Sequence, residues 1–264
     1  MDNIRKYGRA PYTIAVIHGG PGAPGEMAPV ARELSRMYGV LEPLQTASTL
    51  DGQLRELRDV LETHGDLPLT LIGHSWGAML SYMFAAQNPL LVKKLILVAS
   101  GVFDEAYVPQ IAQTRLSRLT ENDRVTLQAL FEKLNDPKTP DKDALFMHYG
   151  EIFDKADSFD PLPHVNEIVR CQYAAFEHAW SDMKQLRKSG DLLAYGRQIT
   201  CPVIAIHGDY DPHPAEGVRI PLSRVVRDFR FILLNNCGHT PWIERRARER
   251  FYEVLIDEVG SALP

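Results

Sequence analysis

The sequence predicts an α/β fold, a mostly parallel sheet with helices on both faces and a helical cap inserted between two strands. Three observations predict it. Short continuous apolar runs alternate with helical stretches through residues 1–100. The alternation breaks over residues 101–200, which read as helical, polar and aromatic, with Pro109, Pro137, Pro140, Pro161 and Pro163 as punctuation. It resumes over residues 201–264. The expected organisation is a core built from 1–100 and 201–264, with 101–200 as the cap.

Each element has its own signal. Tyr12–Ile17 is a β-rich run that ends in His18-Gly19-Gly20-Pro21-Gly22, and a helical pattern follows at 27–37. A short run at 40–44 precedes a helix at 52–63, and the strand-like stretch 67–72 precedes a helix at 76–88. KLILVA, residues 94–99, is the last strand before the insertion. Beyond it come a strand at 203–207, a helix after Pro214, the strand Phe229–Leu234 and a final amphipathic helix over 241–259. Buried strands of a parallel sheet read as unbroken apolar runs because both of their faces are covered. A helical insertion between two such strands lies over their C-terminal ends, the edge where open α/β sheets bind ligands.

Composition excludes several functions. The 264 residues hold 29 Lys and Arg against 34 Asp and Glu, a net charge of −5, so the basic footprint of a nucleic-acid binder is missing. Arg245, Arg246, Arg248 and Arg250 interleave with Glu244 and Glu249, the pattern of a solvated helix face. No apolar stretch of signal-peptide length follows the first charges and no run is long enough to span a bilayer, so a cytoplasmic protein without membrane association is expected. Cys171, Cys201 and Cys237 are odd in number and show no CxxC spacing, as free thiols would.

The chemistry concentrates in four places. Gly73-His74-Ser75-Trp76-Gly77 follows a strand and opens a helix, the context in which G-x-S-x-G forms a tight turn that lifts a serine Oγ out of the sheet. A serine needs a base and the base needs an orienting carboxylate. His239, in Asn236-Cys237-Gly238-His239-Thr240, follows the last strand and supplies the base. Asp211, in His207-Gly208-Asp209-Tyr210-Asp211, follows the strand before it. Asp209 lies two residues away and in an extended segment points the same way, so periodicity leaves both open; the Gly-x-x-Asp spacing favours Asp211. The loop His18–Gly22 brings bare backbone beside the nucleophile, and the oxyanion donors are expected to be the backbone N–H groups of Gly20 and Trp76. This loop lacks the Gly-Lys-Ser/Thr ending of a phosphate loop.

HGGPG, GHSWG, GDYD and CGHTPW, with a helical insertion after KLILVA, together resemble the α/β-hydrolase superfamily. Within it, HGGPG with Ser-Trp-Gly is similar to the proline iminopeptidase-related group. The resemblance runs from about Tyr12 to the end, apart from the cap. It implies an aminopeptidase in which cap carboxylates hold a free amino group; the cap offers Glu105, Glu151, Glu167 and Glu177, but no cap motif matches the peptidases, and each reads first as a solvated helix glutamate. Where the peptidases carry glycine before the nucleophile this chain has His74, as many esterase-like relatives do. A small-molecule ester or C–C bond hydrolase is the alternative, and a non-catalytic ligand-binding protein of the same fold is a third. The substrate is expected to be a small molecule or short peptide. No cofactor and no metal are expected: His207, Asp209, Asp211 and His213 cluster in sequence, but Gly208 and Pro212 place them in a strand-end turn. Tyr173, Phe176 and Trp180 stand at helical spacing and read as the interior of the cap.

Overall fold

The computed structural model describes residues 3–165, 167–169 and 172–261. Its centre is a seven-stranded sheet: β1 (Ile4–Tyr7), β2 (Tyr12–Ile17), β3 (Gly39–Pro43), β4 (Leu69–His74), β5 (Val92–Val98), β6 (Val203–Gly208) and β7 (Phe229–Leu234). The spatial order is β1-β3-β2-β4-β5-β6-β7, with β1 antiparallel to β3 and every other pair parallel. β1 is a strand that the sequence pattern does not announce. Its IRKY carries two charges in four residues, and the edge position lets it keep them while it pairs with β3.

Both faces are covered by helices. α1 (Ala28–Leu34) and α10 (Arg248–Gly260) pack on one face. α2 (Leu50–His64), α3 (Trp76–Gln87) and α9 (Glu216–Val225) pack on the other. α3 is buried from Trp76 to Ala86, so its sequence WGAMLSYMFAA is apolar on every side instead of amphipathic. The final helix begins later than its pattern suggests: Pro241–Ile243 forms a single 3₁₀ turn, and α10 starts at Arg248.

Between β5 and β6 the chain forms α4 (Val108–Arg118), α5 (Glu121–Asn135), α6 (Lys142–Asp157), α7 (Tyr173–Ser189) and the short α8 (Asp191–Ala194). α4, α5 and α6 enclose a small apolar cluster of their own around Leu119, Leu127, Leu130, Ile152 and Ala156. α7 instead adds Ala179 and Met183 to the main core.

The register aligns the functional edge. Ile17 pairs with Gly73, His74 with Val98, Val98 with Ile206, and Gly208 with Leu234. The segments that follow β2, β4, β6 and β7 therefore leave the sheet side by side, and these carry Gly20, Ser75, Asp211 and His239. Among the described residues, no helix is long and apolar enough to cross a membrane. Cys201 and Cys237 are free thiols; Cys171 lies outside the described residues.

Candidate active site

Ser75 stands between β4 and α3 with φ 52° and ψ −112°, a conformation that a non-glycine residue adopts only when its surroundings enforce it. The two glycines of the motif supply the room. A Cβ on Gly73 would overlap the carbonyl of Gly77, and one on Gly77 would overlap the carbonyls of Ile17 and His18. The turn can close only without those side chains. Ser75 N–H donates to the Val98 carbonyl at 2.9 Å, which fixes the turn to β5.

The three residues singled out from the sequence meet. Ser75 Oγ lies 2.9 Å from His239 Nε2, and His239 Nδ1 lies 2.7 Å from Asp211 Oδ2. His239 Nδ1–H donates to the carboxylate, which leaves Nε2 as the acceptor for the serine proton. Of the two aspartates that the sequence left open, Asp211 is the one that meets His239. Asp209 turns away, and its Oδ1 accepts the Cys237 N–H at 3.2 Å, bracing the His239 loop. Burial alone would raise the Asp211 carboxyl, but the imidazoles of His239, His207 and His213 hold it well below the usual carboxylate range. Burial alone would lower His239, and the facing charges of Asp211 and Asp157 more than reverse this, so its pKa is raised.

Of the two predicted oxyanion donors, Trp76 follows Ser75 in the chain and Gly20 lies in the loop after β2. Trp76 is the first residue of α3, so its N–H has no partner one helical turn earlier. Gly20 has φ +50°, within the loop that passes the nucleophile. Beneath this loop lies a bridge that the sequence motifs do not reveal. Glu26 Oε2 accepts the Gly19 N–H at 2.8 Å and lies 3.0 Å from His74 Nδ1. His74 Nε2 lies 2.9 Å from the His239 carbonyl oxygen. One buried imidazole thus joins the loop after β2 to the loop after β7. Burial would raise the Glu26 carboxyl, but His74, the Gly19 N–H and His239 pull it down to about 2.

His213 is a second imidazole on Asp211. Its Nδ1 lies 2.8 Å from Asp211 Oδ1, and its ring stacks on His239 with centroids 4.7 Å apart. Burial lowers its pKa to about 4, against the pull of Asp211, so the ring is neutral, with Nδ1–H donating to the carboxylate. Asp211, His213 and His239 bring three ligand-type atoms within 4.8 Å of one another. Both Nδ1 atoms sit at hydrogen-bond distance from separate oxygens of the Asp211 carboxylate.

The cap is pinned to the candidate site. The Asp157 carbonyl at the end of α6 accepts the His239 N–H at 2.8 Å, while the Asp157 carboxylate takes Arg115 of α4 in a two-point pair at 2.8 and 2.5 Å. Arg118 donates to the carbonyls of Ala156 and Tyr210, both at 2.8 Å. Glu244 departs from the solvated role that its Arg-rich neighbourhood suggests. It is fully buried and accepts the backbone N–H groups of Phe159, Asp160 and Gly238 at 2.8, 2.8 and 2.9 Å. Three otherwise unpaired donors converge there, just before α10, and only a carboxylate in that position satisfies them all.

The four cap glutamates are placed elsewhere. Glu105 pairs with Arg187, Glu167 with Arg32 and Glu151 with His148, and Glu177 is exposed on α7. Asp154, one turn before Asp157 on α6, is a carboxylate that the sequence does not single out. Its surface touches solvent, yet protein crowds it, and that loss of solvation raises it to about 6. Glu26 and Asp157 add to the rise, and His239 and His164 oppose it. Of the aromatic trio, Tyr173 is buried, and Trp180 stacks on Phe176 while also approaching Trp76 at 5.9 Å between ring centroids.

Comparison with known proteins agrees with this architecture. Residues 16–254 match the family model described as the alpha/beta hydrolase family. The chain is 22% identical to a proline iminopeptidase of Saccharolobus solfataricus, over 94% of this chain and 86% of that protein. It is 26% identical to a 2-hydroxy-6-oxononadienedioate/2-hydroxy-6-oxononatrienedioate hydrolase of Paraburkholderia phymatum, over 82% and 70% respectively. The crystal structure of a proline iminopeptidase of Mycobacterium smegmatis superposes with a TM-score of 0.62 at 18% identity, over 97% of this chain and 93% of that one. With a parallel sheet of this order and a family match across most of its length, the chain belongs to the alpha/beta hydrolase family.

Proposed function

We propose that this protein is a serine hydrolase that works through an acyl-enzyme on Ser75. The observation that carries the reading is the unbroken hydrogen-bond chain from Ser75 Oγ through His239 to Asp211. His239 Nε2 takes the serine proton as Oγ attacks the substrate carbonyl carbon. The N–H groups of Gly20 and Trp76 hold the resulting oxyanion. Collapse of the tetrahedral intermediate breaks the bond to the leaving group, which receives the proton from His239. Water then enters, gives its proton to His239 and releases the acid, while Asp211 holds the imidazole in one tautomer throughout. Ser75→Ala should lower turnover of p-nitrophenyl esters by at least about a thousandfold. Unchanged turnover would rule the mechanism out.

For the substrate, a small-molecule ester or a C–C bond next to a carbonyl is the better reading. Three of the four cap glutamates are already paired with Arg187, Arg32 and His148, which leaves them poorly suited to hold an amine. One observation favours the aminopeptidase reading instead: Asp154 lies close enough to His239 and Glu26 to feel both charges. If Asp154 anchors a substrate amine, KM for aminoacyl-arylamides should rise below pH about 6, as its carboxyl protonates, and should lose that dependence in Asp154→Asn. A panel of esters against aminoacyl-arylamides decides between the two.

A further inference from the structure

A cavity of about 360 Å³ lies among helices α4, α5, α6 and α7, with Gly101, Val102 and His213 on its remaining side, within the size range of small-molecule sites. It lies beside the candidate triad, none of whose three residues lines it. His213 in its lining stacks on His239, and Trp180 in its lining approaches Trp76, the residue after the nucleophile. Its walls are apolar, with Ile111, Leu127, Phe131, Tyr149 and Phe153 among them. Its charged lining residues are all cationic: Arg115, Arg124, Lys184 and Arg187. No Asp or Glu lines it among the described residues, although acidic residues outnumber basic ones by 34 to 29 in the chain.

The cations are not equivalent. Arg115, Arg124 and Arg187 are paired with Asp157, Glu121 and Glu105, carboxylates that stand outside the lining. Lys184, a solvent-exposed residue of the lining, has no hydrogen bond or ion pair among the described residues, so its ammonium is free to meet an anionic group. His213 is 7% exposed, and with Nδ1–H given to Asp211 its Nε2 is an acceptor with no hydrogen bond among the described residues.

We infer that this cavity receives the acyl portion of the substrate, and that this portion is largely apolar and ends in a carboxylate held by Lys184. The inference rests on the hydrolase reading and names its substrate class. A cationic aminoacyl group would enter the same space against like charge with no carboxylate to meet it. The His213 Nε2 acceptor suits a substrate hydroxyl next to the reacting carbonyl.

The test compares p-nitrophenyl esters of one chain length and three charges: hexanoate, the adipate half-ester and 6-aminohexanoate. At low salt, kcat/KM should favour the adipate half-ester over the hexanoate by about fivefold, and the 6-aminohexanoate should be the poorest. The preference should shrink toward unity in 0.5 M salt. Lys184→Met should bring adipate and hexanoate within about twofold of each other, and Lys184→Arg should restore the difference. No anionic preference in the wild type, or a preference that survives Lys184→Met, overturns the inference. Binding separates its failure from that of the hydrolase reading. Monomethyl adipate and methyl hexanoate, titrated into Ser75→Ala while tryptophan emission is followed, report the charge preference without turnover. Tighter binding of the adipate supports the inference even if no ester is hydrolysed, and equal binding overturns it even if Ser75 is active.

Discussion

In the proposed mechanism a single side chain, Asp211, sets the chemistry and the pH range together. It carries His239 on one oxygen and His213 on the other, and it is buried, so its negative charge acts through little solvent. A raised His239 pKa means that more of the base is protonated near neutrality. kcat/KM should therefore climb with pH through an acidic limb whose midpoint lies above the usual histidine value of about 6.5. Asp211→Asn should lower kcat by about a thousandfold or more and move that limb downward, since the opposing charge is gone. A pH–rate profile of both proteins checks the sign. Glu244 makes a structural counterpart. Glu244→Ala would leave the N–H groups of Phe159, Asp160 and Gly238 without an acceptor. Its unfolding free energy should fall by about 3 kcal/mol or more, measured by urea denaturation.

At the scale of elements, the loops that leave one edge of the sheet are coupled through side chains as well as through the strands. His74 joins the Glu26–Gly19 loop to the His239 carbonyl. His74→Ala should therefore reduce kcat by about tenfold with little change in KM, because it loosens two loops of the machinery and leaves the cavity intact. The Glu26 carboxyl, depressed from 4.5 to about 2, stabilises the fold above its unfolded value. That contribution should be lost as pH falls from about 4.5 toward 2, and urea midpoints in Glu26→Gln should show a flatter pH dependence over this interval.

Much of this edge was legible from sequence. Strand-then-helix context marked Ser75, and the order of strands put Asp211 and His239 beside it. What local patterns could not carry was long-range pairing. The choice between Asp209 and Asp211 depends on a bond from Asp209 to the Cys237 backbone, 28 residues away. Glu244 looks solvated because its charged neighbours are, yet the backbone donors it meets come from the cap. β1 becomes a strand only because β3 offers it an edge.

Over the whole molecule, the proposed mechanism draws its attacking group from the sheet edge and its substrate space from the cap, and a few contacts hold the two in place. Arg115–Asp157, Arg118 and the Asp157 carbonyl link α4 and α6 to the segments that carry Asp211 and His239. Arg118→Ala should raise KM severalfold and speed amide hydrogen exchange in α4 and α6, with the core strands unaffected. The cap sequence is helical but unmarked by motifs, and its partners lie far away in the chain, so the cavity proposed for the substrate was the part least readable in advance.

The role of Ser75 is the claim on which the rest depends, and covalent labelling tests it most directly. A fluorophosphonate should add one adduct per chain, mapped by peptide mass to Ser75 and absent in Ser75→Ala. An unlabelled Ser75 in a protein that still hydrolyses esters, or stoichiometric labelling at another residue, would contradict it.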